Sequence, residues 1–77
     1  MFIEKNNKLE KIFEFQNFTE AVEFVNKIAR VAEAIDHHPD IKIYSYKYVA
    51  ISIYTHSENT LTAQDYNLAN IIINTLR

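Results

Sequence analysis

From Phe18 onward the apolar residues of this chain recur three and four positions apart: Phe18, Ala21, Val22, Val25, Ile28, Ala29, Ala32 and Ile35. In an α-helix that spacing returns side chains to one face, so the pattern predicts an amphipathic helix with one buried stripe. Asn17 followed by Glu20 has the offset of a capping box with Asn in place of Ser or Thr, and Thr19 is an alternative cap. The helix is expected from about Thr19 to Asp36. It ends there because Pro39, the only proline, disfavours helical geometry at His38 and has no backbone N–H to donate.

On either side of this helix the pattern is that of strands. Residues 2–5 and 8–15 carry apolar and β-favouring side chains around Asn6-Asn7, a pair that tolerates the positive φ of a tight turn, so a hairpin is expected. Phe13 and Phe15 alternate with Glu14 and fall on one face. Ile41 to His56 is dense in isoleucine, valine and tyrosine and predicts two strands, with a turn between Tyr44 and Tyr48 that lacks the usual turn residues. In the second strand Val49, Ile51 and Ile53 share one face, and Ala50, Ser52, Tyr54 and His56 the other. Leu61 to Tyr66 announces a second helix, with Thr62 as N-cap, Asp65 three residues on, and Leu61 and Tyr66 placed as a hydrophobic staple. Tyr66, Ala69, Ile72, Ile73 and Leu76 are its expected buried stripe. The order β-β-α-β-β-α predicts an α+β domain, a four-stranded antiparallel sheet with two helices packed on one face.

At 77 residues the chain is expected to be a single domain, residues 1–77, that buries roughly 60% of its unfolded surface. So thin a core would gain from homo-oligomer contacts. With no cysteine there are no thiolate nucleophiles, disulfides or cysteine-held metals. With no glycine there are no Gly-rich phosphate cradles. Net charge is −2 with the signs interspersed, which disfavours direct nucleic-acid binding. No apolar run approaches the roughly 20 residues that span a bilayer, so the expectation is a soluble, cytoplasmic protein without membrane contact.

The chemistry-bearing residues are the three histidines, His37, His38 and His56, together with Glu33, Pro39 and Asp65. Imidazole, with an ordinary pKa of roughly 6.5, gives or takes a proton at neutral pH. Glu33 stands at the i, i+4 spacing from His37 where helix side chains meet, so it can reach an imidazole or a ligand. Each residue also has a plainer reading. The Thr62-to-Asp65 offset already explains Asp65 as a helix cap, His37 could be a cation at a helix C-terminus, and Glu33 a solvated helix residue. The four tyrosines of residues 44–54 pack in strands as readily as they stack on a flat ligand.

Glu33, three residues, His37-His38-Pro39, six residues, Tyr46, nine residues, His56, eight residues and Asp65 together resemble the pattern of the pterin-4a-carbinolamine dehydratases. That family serves in animals also as a dimerisation cofactor of a homeodomain transcription factor. The resemblance covers nearly the whole chain; Phe13-Glu14-Phe15, Ala32-Glu33, Thr55-His56 and Leu61-Thr62 match as well. The chain departs from the family in lacking its N-terminal helix and tryptophan, and in carrying Asn59-Thr60 where a Gly-Gly pair is usual.

The resemblance implies a lyase that removes water from a 4a-hydroxytetrahydropterin in tetrahydrobiopterin recycling, with no cofactor and no metal. It implies His37, His38 and His56 as catalytic residues, and Glu33, His37, His38, Pro39, Thr55 and Asp65 as pterin-binding ones. His37 and His56 would supply the acid and the base, in an order the sequence leaves open, while His38 orients the pterin. A homodimer or higher homo-oligomer is implied too. Two other readings remain: a non-catalytic interaction or dimerisation module pairing through a strand edge or helix face, and a metal site built by the three histidines, which adjacent side chains pointing apart would disfavour.

Overall fold

The computed structural model describes residues 1–76. In chain order it contains β1 (Ile3–Lys5), β2 (Lys8–Glu14), α1 (Phe18–Ile35), β3 (Asp40–Tyr44), β4 (Tyr48–Ile53) and α2 (Ala63–Thr75). The strands form one antiparallel sheet in the order β1-β2-β4-β3. β2 and β3 therefore run parallel with β4 between them, and α1 carries the chain across one face of the sheet. This is the expected α+β architecture.

The first hairpin closes through Asn6 and Asn7, with φ of 54° and 61°, between the paired residues Lys5 and Lys8. Two successive left-handed residues give a turn whose twist matches that of its strands. The second hairpin uses Ser45 and Tyr46 at φ 46° and 56°. Neither residue favours that geometry. The cross-strand pair beneath it does the holding: the Tyr44 and Tyr48 rings stack with centroids 5.3 Å apart.

Helix α1 begins one residue earlier than expected, with Asn17 as N-cap accepting from the Glu20 N–H at 2.8 Å. The Glu20 carboxylate reaches back to the Gln16 N–H rather than to the cap residue itself. Its end lies where the sequence places it, by a different device. Asp36 takes the left-handed conformation, φ 52° and ψ 44°, its N–H bonds the Glu33 carbonyl, and the His37 N–H bonds the Ala32 carbonyl at 3.1 Å. This is a complete Schellman motif, usually closed by glycine, here closed by aspartate. Pro39 lies beyond it and only prevents the helix from resuming.

The core forms between the helices and the inner sheet face, where Leu9, Phe13, Val49, Ile51 and Ile53 meet Ala21, Phe24, Ile28, Leu68, Ala69 and Ile72. Phe24 lies 4.9 Å from both Phe13 and Phe15, which share a face as expected. The buried stripe of α1 is Ala21, Phe24, Ile28 and Ala32, so the period is as expected but the stripe is turned toward Phe24, and Phe18 and Ala29 face solvent. In α2 the stripe is also rotated. Leu68 is fully buried, whereas Tyr66 and Leu76 are exposed and the Tyr66 hydroxyl donates to Glu4 of β1 at 3.0 Å. The apolar count of α2 alone could not fix its rotation, because Asp65 occupies part of the inward face.

Candidate active site

The end of α1 and the start of α2 meet at one buried contact. Because the Schellman motif ties the His37 backbone to Ala32, the ring is carried inward off the helix end, where it is buried and its Nε2 lies 2.6 Å from Asp65 Oδ1. Asp65, in the first turn of α2, is inaccessible to solvent. Its second oxygen accepts from the Thr62 backbone N–H at 2.7 Å and from the Thr55 hydroxyl at 2.8 Å. Burial pushes the Asp65 carboxyl up, but the His37 ring, the Thr62 N–H and the Thr55 hydroxyl outweigh it and hold it below the ordinary value of 3.8. The positive end of the α2 dipole acts in the same direction.

An ionised carboxylate only accepts hydrogen bonds, so His37 Nε2 carries a proton and Nδ1 is the nitrogen left for other work. The same nitrogen is used at the other two histidines. His38 Nε2 lies 2.5 Å from Glu33 Oε2, both side chains being largely exposed, and His56 Nε2 stands 4.0 Å from Asp40 Oδ1. The expected partner of Glu33 is therefore replaced: it reaches His38, five residues on, because His37 has turned into the core. His56 follows Thr55 past the end of β4, and its ring lies 4.2 Å from that of Tyr54.

These contacts join two short segments side by side. His37 reaches Asp65 and through it Thr55, while Asp40 reaches His56, so residues 37–40 and 54–56 share one rim, where His38, Asp40 and His56 are exposed and His37 and Thr55 are buried. The sheet's outer face bears a largely apolar hollow lined by Ile3, Ile12, Ala50, Lys5 and Lys42; Asp40, the partner of His56, stands at it, but no histidine lines it. Each imidazole is drawn to a different carboxylate, and among the described residues no three His, Cys, Asp or Glu side chains gather closely enough to hold a metal ion. Asp65 both caps α2 and grips His37, so the cap-only reading is too narrow. Being buried, it offers no surface for a ligand to touch directly. Nothing local in the sequence marks the hydroxyl contact of Thr62 with Thr55, or Asp40, whose pairing depends on two strands meeting.

The chain belongs to the pterin 4 alpha carbinolamine dehydratase family, whose profile matches residues 2–75. A relative in Sulfolobus acidocaldarius, provisionally named pterin-4-alpha-carbinolamine dehydratase, is 50% identical over 68 residues, spanning 88% of this chain and 74% of that protein. A Picosynechococcus protein with the same provisional name is 50% identical over 64 residues, 83% of this chain and 68% of its own. Among solved structures, a transcriptional coactivator/pterin dehydratase from Brucella melitensis superposes with a TM-score of 0.81 at 30% identity, covering 94% of this chain and 76% of that one. A pterin dehydratase-like RuBisCO assembly factor of the alpha-carboxysome shares the fold, with a TM-score of 0.73 at 20% identity over 94% of this chain and 82% of its own.

Proposed function

We propose that this protein dehydrates a 4a-hydroxytetrahydropterin, and that the buried His37–Asp65 pair next to Thr55-His56 is the observation that carries the assignment. The reaction delivers one proton to the C4a hydroxyl, which leaves as water. It removes another from the neighbouring ring nitrogen, whose electron pair forms the new double bond of the quinonoid dihydropterin. His37, presenting Nδ1 and backed by an anionic carboxylate, exchanges one of these protons. His56, exposed on the other segment, exchanges the other. Each is expected to contribute roughly 10² to 10⁴ in rate. His38, steadied by Glu33, orients the pterin over the rim, and Pro39 keeps the segment extended.

The same reading includes a homodimer in the cytoplasm, consistent with apolar side chains left exposed at Ile3, Ile12 and Phe18. A second reading, a non-catalytic pairing module, draws on the uncovered β3 edge of the sheet. The deciding experiment generates the carbinolamine in situ and compares the unmutated protein with His37→Ala and His56→Ala. Acceleration that both substitutions abolish, with folding intact, is the expected result. No acceleration by the unmutated protein turns the assignment to the pairing module.

A further inference from the structure

We propose that Thr55 and Thr62 are positioning residues of this site, their paired hydroxyls fixing the Asp65 carboxylate in the orientation that presents Oδ1 to His37 Nε2. The inference deepens the dehydratase reading and depends on it only for its kinetic consequence. The geometry sets the direction of every proton. Asp65 Oδ2 receives the Thr55 hydroxyl proton at 2.8 Å, and the Thr55 and Thr62 oxygens are 2.7 Å apart. A hydroxyl has one proton. Having given its own to Asp65, Thr55 accepts from Thr62, whose direct approach to the carboxylate is a longer 3.4 Å. The Thr62 hydroxyl thus acts on Asp65 through Thr55.

Two anchors from different elements are needed because rotation about the last carbon–carbon bond of an aspartate is soft. The Thr62 N–H, from the same helix end as Asp65, holds Oδ2 but leaves the carboxylate plane free to swing Oδ1 away from His37. Thr55 supplies the second anchor from beyond β4. It is itself held by a bridge in which its N–H meets the Thr60 carbonyl at 3.0 Å. His37 is the titratable group facing Asp65. Tyr66, the next residue on α2, points to Glu4 instead. The Thr55 side chain, buried and committed inward, thereby leaves the set of pterin-contacting side chains.

The test uses Thr55→Val, nearly isosteric but without the hydroxyl, with Thr55→Ser as the conservative rescue and Thr62→Ala as an independent break in the chain of hydroxyls. Carboxyl ¹³C NMR of the substrate-free protein follows the Asp65 titration directly. Loss of one donor raises that titration by roughly one pH unit in Thr55→Val, less in Thr62→Ala, and Thr55→Ser restores it. In the dehydration assay kcat falls about tenfold in Thr55→Val with KM unmoved, and the acid limb of the pH profile rises with the Asp65 titration. Folded Thr55→Val and Thr62→Ala proteins whose Asp65 titrates as in the unmutated protein overturn the proposal. If Thr55→Val does not fold, Thr62→Ala carries the same decision. A shifted Asp65 titration in a protein without turnover upholds the positioning role and overturns the dehydratase reading instead.

Discussion

His37 and Asp65, 28 positions apart in the chain, meet at 2.6 Å where the C-terminal end of one helix faces the N-terminal end of the other. The Asp65 carboxylate sits at the positive end of the α2 dipole, and the His37 ring lies just past the carbonyl end of α1. The contact ties the two helices together and forms the base of the site, so substitutions there bear on stability and activity together.

Asp65→Ala removes the carboxylate that caps α2 and leaves His37, its buried partner, without an acceptor. Breaking a buried charged pair from one side costs about 3–5 kcal/mol, a large share of the stability of a domain this size. Urea titration should show the loss. Asp65→Asn keeps an acceptor for the Thr62 N–H and should lose less stability, while dehydration still falls by roughly 10² or more.

Acid stability follows from the depressed Asp65 carboxyl. Because its folded value lies below 3.8, the stabilisation is fully present above that pH and is lost as pH falls through the folded value. The unmutated protein should therefore lose stability more steeply than Asp65→Asn below about pH 4. Parallel slopes in denaturant titrations across that range would contradict the assignment of an ionised Asp65.

At the end of α1, Asp36 holds a left-handed conformation that costs a residue with a Cβ about 1 kcal/mol. Asp36→Gly should raise stability by roughly 0.5 kcal/mol or more without touching the site, and melt a few degrees higher. Asp36→Val, β-branched, should move the other way.

Ile28 has no exposed surface and lies where α1 meets the sheet. Ile28→Ala should cost about 2–5 kcal/mol by thermal or chemical unfolding, the range expected when a buried aliphatic side chain leaves a partly collapsed cavity. Ala29→Leu, one position along on the solvent side, should be nearly neutral.

The elements were legible wherever one local signal dominated. The Asn6-Asn7 turn, the period of α1 and the alternation of β4 each follow from neighbouring residues. What escaped depended on the third dimension. The rotation of α2 is set by Asp65 turning inward; the turn between Tyr44 and Tyr48 and the end of α1 at Asp36 fall where the sequence places them, but what holds them, the tyrosine stack and a left-handed aspartate, does not show in it. At the site, the residue types and spacing single out the three histidines, Glu33 and Asp65, but not Asp40 and not which carboxylate each imidazole meets. Glu33 paired with the neighbour of its expected partner, and Asp40 came to His56 only because β3 lies beside β4.

That difference in burial divides the histidines by their response to ionic strength. The pair at His37 lies behind protein, where mobile ions reach it poorly, whereas His56 and Asp40 face each other across 4.0 Å with more than half of each side chain in water. Salt near 1 M shortens the screening distance to about 3 Å, so it uncouples the second pair and leaves the first. One imidazole is thus built into the protein interior and the other is shared with the solvent, and added salt alone tells them apart.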